Sequence, residues 1–171
     1  RGSKLALIQT EEILRGLRSK HPKLQFEVLE ISTRPDVRWQ DPLASFSTGM
    51  FVKELEHALM DGLVDIAVHS FKDLPTDIPT QLSIAAVGHR ADARDVLISH
   101  SNLSLTQLQL GARLGTSSPR RAGQVKAIRQ DLKIVPIRGN VDTRLKKVQD
   151  GEYDAIVMAA AGIQRLGLTN E

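Results

Sequence analysis

The sequence predicts an α/β fold of two similar lobes, each a mostly parallel sheet flanked by helices, and an internal repeat is the main reason. Leu55–Val68 aligns with Arg144–Val157, residue for residue around a shared Asp-Gly pair at Asp61-Gly62 and Asp150-Gly151. Each segment reads as a helix closed by Asp-Gly, because glycine suits the left-handed position after a helix, followed by an apolar run too short for a second helix. The same correspondence holds upstream: Leu24–Ile31 precedes a Thr-Arg loop, and Leu132–Ile137 precedes an Arg-Gly-Asn loop. Each half therefore runs helix, strand, loop, helix, strand, loop, an alternation that implies parallel strands joined by right-handed crossovers.

The first helix is expected over Lys4–Ser19, with Ser3 as N-cap and Leu5, Ile8, Ile13 and Leu17 as its apolar face. A strand at Leu24–Ile31 follows, then the Asp-Gly helix and a strand at Val64–Val68 that ends on His69-Ser70-Phe71-Lys72-Asp73-Leu74-Pro75. The join falls around His89–Arg94, after the apolar Ile84–Val87, which gives lobes of 1–88 and 89–171 that touch across a cleft. In the second lobe a helix starts at Ser118-Pro119, a capping serine followed by proline at the first helical position. Both ends read as cut, since the chain opens on Arg1 without a preceding strand and stops as a helix begins after Gly162.

The chain has 171 residues, 41% of them hydrophobic, enough to bury a core. It contains no cysteine, which excludes disulfides, thiolate metal sites and a thiol nucleophile. No stretch approaches the roughly 20 apolar residues of a membrane span, and no signal-peptide pattern is present, so a cytoplasmic location is expected. The net charge of +3 is unevenly spread. Arg113–Lys147 holds ten Lys/Arg against two acids, a net +8, while the remainder carries −5. Such a cluster suits a nucleic-acid face or a pocket for a small polyanion, and 4% aromatic content leaves few platforms for base stacking.

The candidate site residues fall in loops at the ends of these elements. Asp73 reads either as a carboxylate that holds a pyrrole or amine N–H and stabilises a nearby cation, or as an ordinary turn residue before Leu74-Pro75. Lys72 beside it reads as an anion ligand or a solvated lysine, and His69 as a packed strand-end histidine. Thr116, Ser117 and Ser118 offer hydroxyls at a helix N-terminus, where anions are favoured, and capping accounts for only one of them. Arg120 and Arg121 then stand against the helix dipole, which suggests an anion nearby. Arg138 and Arg144 flank the Gly139-Asn140 turn, and arginine grips carboxylates with two parallel hydrogen bonds. Arg1 and Ser3 hold the equivalent place in the first lobe; Trp39 receives no role. One carboxylate facing many cations and hydroxyls suits a ligand with several carboxylates and one cationic or N–H-bearing centre, and no metal site is expected.

Taken together the motifs resemble the porphobilinogen deaminase (hydroxymethylbilane synthase) family over essentially the whole chain. The segments that carry the resemblance are Arg1–Gln9, Phe51–Glu56, His69–Pro75, Gly115–Arg121, Arg138–Arg144 and Gly151–Gly167, in the family's order. The resemblance implies a transferase of tetrapyrrole (porphyrin and heme) biosynthesis. Such an enzyme condenses four porphobilinogen molecules head to tail, releasing ammonia, on a dipyrromethane primer bound to a cysteine. It further implies that Asp73 binds pyrrole N–H groups and stabilises the azafulvene-like cation. Arg1, Ser3, Ser70, Lys72, Thr116, Ser117, Ser118, Arg120, Arg121, Arg138, Gly139 and Arg144 would hold the acetate and propionate groups of primer and growing chain. The lobes would resemble those of type II periplasmic binding proteins.

Departures from the family's pattern are the lack of a cysteine, Phe46-Ser47-Thr48-Gly49 where a lysine-bearing loop is usual, Pro119 and Ala93. A third, primer-bearing domain is expected to be missing from this chain, the 171 residues alone to be inactive, and the partner to be porphobilinogen, with no nucleic acid or membrane and a monomeric state. The alternative is a non-catalytic two-lobed binder of a small polycarboxylate.

Overall fold

The computed structural model describes residues 2–31 and 52–169, which divide into two compact units with the boundary after His89. In the first unit, α1 (Lys4–Lys20) starts at Ser3, whose hydroxyl accepts the Ala6 N–H at 3.3 Å. Leu14 is its buried residue; of the expected apolar face Leu5, Ile8 and Leu17 are half-buried, while Ile13 is 37% exposed. The second helix, α2 (Lys53–Met60), buries Leu55 and Ala58, and Val52 just before it is 1% exposed.

No strand ladder forms among the described residues of this unit. Leu24–Ile31 and Val64–Val68 lack the expected cross-strand pairing. Leu24, Val28, Leu29, Ile66, Ile84 and Val87 accordingly stay exposed. The physical reason is that alternation and β-branching suit a residue to a pleated surface, whereas a strand exists only through a partner's hydrogen bonds. The chain next passes through a 3-10 turn at Phe71–Asp73, closed by Asp73 N–H donating to the Ser70 carbonyl at 2.9 Å.

The second unit is built on a mixed four-stranded sheet in the order β1-β4-β2-β3. The strands are β1 (Asp95–Ser99), β2 (Arg113–Gly115), β3 (Lys133–Val135) and β4 (Ala155–Ala159). β2 runs parallel to both β3 and β4, as the alternation predicts, while β1 pairs antiparallel with β4, Asp95 opposite Ala159. Between strands lie α3 (Pro119–Ile128), α4 (Val141–Gln149) and, directly after β4, α5 (Ala160–Arg165).

Period-two alternation divides the core between the two faces of this sheet. Leu97, Ala155 and Val157 pack with Leu114, Leu132 and Val125 of α3. Val96, Ile98, Ile156 and Met158 pack instead with Val148 of α4 and Ile163 of α5. Arg129 closes α3 and ties the loop before β2 to it, donating to the carbonyls of Leu105 (2.9 Å), Thr106 (3.2 Å) and Leu108 (3.0 Å) while paired with Asp131 at 2.7 Å.

The internal repeat is visible in the caps. Gly62 and Gly151 have φ of +68° and +72°, and in each case the next N–H reaches back to the helix: Leu63 to Ala58 and Glu152 to Lys147, both at 2.9 Å. These are the paired bonds of a glycine-terminated helix, and they satisfy carbonyls that the helix leaves open. Among the described residues no helix is long and apolar enough to cross a membrane.

Gly115 ends β2 under the ring of Tyr153, whose hydroxyl donates to the Pro136 carbonyl at 2.8 Å. A Cβ there would sit 2.8 Å from Tyr153 Cδ1 and 2.9 Å from Ile156 Cγ2. Gly115→Ala is expected to destabilise the second unit by about 1–3 kcal/mol through overpacking, read as a lower urea midpoint at an unchanged slope.

Candidate functional site

Parallel β2, β3 and β4 bring their C-terminal ends to one edge of the sheet, and antiparallel β1 brings its first residue there. In α/β sheets that edge is where ligands bind, because helix N-termini and loop backbone converge on it. The loop leaving β2 carries Thr116, Ser117 and Ser118. Ser118 caps α3, its hydroxyl accepting Arg121 N–H at 3.4 Å. Thr116 is 4% exposed and accepts Ser118 N–H at 3.2 Å. Ser117 Oγ donates to the Ile137 carbonyl at 2.8 Å and accepts Ile137 N–H at 3.0 Å. All three hydroxyls therefore have structural work, where capping was expected to explain one. Among the described residues the O–H protons of Thr116 and Ser118 have no acceptor.

The two arginines opening α3 meet an acid from the protein itself. Asp95, the first residue of β1, takes Arg121 Nη2 on Oδ1 at 2.7 Å and Arg120 Nη2 on Oδ2 at 2.8 Å. Arg120 is largely exposed and also reaches Gln124 at 3.0 Å, whereas the Arg121 side chain is only 14% exposed. Its Nη1 donates to the Val157 carbonyl at 3.3 Å, and its Nε is buried without a hydrogen-bond partner. The hydrogen bond from Arg121, with Arg120 adding to it, holds the Asp95 pKa below the ordinary carboxylate value against the opposing effect of burial.

Arg144 lies in the first turn of α4, with Nε donating to the Gly139 carbonyl at 2.7 Å. Burial, and then the neighbouring charge of Arg121, lower its pKa from the ordinary arginine value. Among the described residues no acid pairs with its guanidinium. Gly139 has a φ of +116°, and a Cβ there would meet Thr143 Cγ2 at 2.8 Å, so only glycine presents that carbonyl to Arg144 without strain. Arg138, on the same loop, is half-buried.

Of the first-unit candidates, Ser3 acts as the α1 cap, and Ser70 Oγ accepts a hydrogen bond from the Gln9 amide at 2.8 Å. Lys72 and Asp73 are exposed on the 3-10 turn, and the Asp73 carboxylate makes no hydrogen bond or ion pair among the described residues. His69 is half-buried. Arg1, Trp39 and the Phe46–Gly49 loop lie outside the described residues.

The sequence reading missed Asp95 and Gln9 as site-building groups. Their partners stand 25 or more positions away, and the only local hint for Asp95 was a charge directly before the apolar Val96-Leu97-Ile98.

Fold and site define an α/β protein whose sheet edge gathers guanidinium groups that the protein's own acids only partly neutralise. The whole chain, residues 1–171, matches the family described as porphobilinogen deaminase, dipyromethane cofactor binding domain, and the chain belongs to that family. It is 51% identical over 169 residues to porphobilinogen deaminase of Roseiflexus sp. (strain RS-1), covering 98% of this chain and 56% of that protein. Porphobilinogen deaminase of Nitratidesulfovibrio vulgaris (strain DSM 19637 / Miyazaki F) is 47% identical over 170 residues, covering 99% and 54%. A probable porphobilinogen deaminase of Pyrobaculum islandicum is 49% identical over 167 residues, covering 97% and 56%. The chain thus spans about half the length of the curated relatives it matches.

Two outcomes test this geometry. Gly139→Ala should destabilise the fold by more than about 1 kcal/mol, since alanine is strained at positive φ, and should weaken the protection from hydrogen exchange of the Arg144 Nε–H. Because the folded pKa of Asp95 is depressed, its stabilisation is complete above the unfolded carboxylate value and is lost as pH falls through the folded value. Asp95→Asn should therefore flatten the acid limb of the stability curve below about pH 4 by at most about one proton, measured by denaturant titration at stepped pH.

Proposed function

We propose that this chain is the cofactor-binding part of a hydroxymethylbilane synthase, which condenses four porphobilinogen molecules head to tail with release of ammonia. The observation that carries the reading is the incomplete neutralisation of Arg121 and Arg144. Arg121 shares the single carboxylate of Asp95 with Arg120, and the Arg144 guanidinium meets a carbonyl but no acid among the described residues, a charge excess that a ligand anion would complete. The acetate and propionate groups of a dipyrromethane fit these donors, because guanidinium binds carboxylate through paired, charge-assisted hydrogen bonds. Arg120, Arg121, Arg138 and Arg144, with the Thr116 and Ser118 hydroxyls and the N-terminus of α3, would hold such a group, as Ser117 and Gly139 shape the loops that present them. When bound, the dipyrromethane supplies the pyrrole carbon at which chain growth starts.

The chain's own residues do the rest. In the first unit Ser3, Ser70 and Lys72, with Arg1, are the candidates for holding carboxylates. Asp73 supplies a carboxylate not engaged by any described residue. It accepts pyrrole N–H bonds and stabilises the positive charge that develops on porphobilinogen as the carbon–nitrogen bond to its amine breaks and ammonia departs. The two units are in this reading two related lobes of the type II periplasmic-binding kind, 1–88 and 89–171, and the protein is cytoplasmic and monomeric. It needs no nucleic acid, membrane or metal for this chemistry.

Asp73→Asn in the product of the complete reading frame should cut porphobilinogen turnover by at least about 10²-fold, the scale of losing one electrostatic stabiliser. Undiminished turnover would leave a polycarboxylate binder as the better description. The 171-residue chain, which has no thiol, should show an intact mass equal to its bare sequence and form no hydroxymethylbilane. Mass spectrometry and a bilane assay after incubation with porphobilinogen decide both.

A further inference from the structure

We propose that Asp95 is a positioning residue that shapes the arginine cluster to receive one pyrrole ring's pair of carboxylates, an inference that rests on the function proposed above. Arg120 and Arg121 are consecutive in the first turn of α3, so their side chains leave the helix about 100° apart. The helix dipole disfavours both cations there. The Asp95 carboxylate overcomes both effects by taking one Nη2 on each oxygen, at 2.8 and 2.7 Å.

Its grip also decides which donors remain. Arg121 commits one N–H of Nη2 to Asp95 and one of Nη1 to the Val157 carbonyl, and its Nε is buried, so the second hydrogens of the two Nη groups are the donors left for a ligand. Arg144 spends Nε on Gly139, which leaves its Nη edge. Both groups thus keep Nη hydrogens for an anion. Among Arg120, Arg121 and Arg144 the one carboxylate of Asp95 leaves an excess of two positive charges, enough for a ligand with two carboxylates.

Calorimetric titration of the 171-residue chain with porphobilinogen, which carries one acetate and one propionate, tests this at a temperature where circular dichroism shows each variant folded. Asp95→Asn should weaken binding tenfold or more, and Asp95→Glu should restore most of the loss. In parallel, the Arg121 Nε–H resonance of the ¹⁵N-arginine-labelled wild type should shift on titration, a readout that applies even where the asparagine variant does not fold. Unchanged affinity in Asp95→Asn, tighter binding, or an unmoved Arg121 signal would overturn the assignment. Arg144→Ala separates the two levels of inference. If it abolishes binding while Asp95→Asn leaves it intact, the anion site stands and the role of Asp95 falls. If the wild type itself does not bind porphobilinogen, both fall.

Discussion

A guanidinium that cannot give up its proton is nearly enclosed at the edge of the second unit's sheet, and the local structure is arranged around that charge. The Arg121 side chain is 14% exposed, and arginine stays ionised even when burial disfavours it. Its charge must be met by fixed acceptors. β1 supplies Asp95, and β4 supplies the Val157 carbonyl. This gives the antiparallel placement of β1 a consequence beyond sheet packing, because a parallel β1 would carry its first residue to the opposite edge.

The same constraint shapes the loops. Ser117 bridges to both backbone groups of Ile137 and so locks the loop after β2 to the segment after β3. Gly139 then turns at positive φ to aim its carbonyl at Arg144. Each link is an ordinary hydrogen bond worth about 1 kcal/mol by itself, and their value to the site is geometric. Burial first, and then the nearby charge of Arg121, lower the pKa of the Arg144 they position. Pre-organised donors of this kind spend little ordering entropy when a ligand arrives.

Much of the second unit was legible in the sequence. Ser118-Pro119 marked the start of α3, Asp150-Gly151 the end of α4, and the apolar run after it became β4. These are local signals, set by backbone conformations that serine, proline and glycine each favour for their own steric reasons. In the first unit the same kind of signal located α1 and the Asp-Gly cap of α2 but not the strands. A ladder is a relation between segments, and Leu24–Ile31 and Val64–Val68 find no partner among the described residues.

By itself, then, the sequence determined the helix ends, the α/β alternation of the second unit and the basic character of Arg113–Lys147, and it singled out the arginines proposed for the site. It also carried the motif series by which the chain is placed in its family. Only the tertiary structure decided which of those arginines meet an acid of the protein itself. Arg120 and Arg121 looked alike in sequence, yet one is solvated and the other buried with an unspent Nε. The difference comes from Asp95 and Val157, residues 26 and 36 positions away, brought to the same edge by sheet pairing that no local pattern encodes.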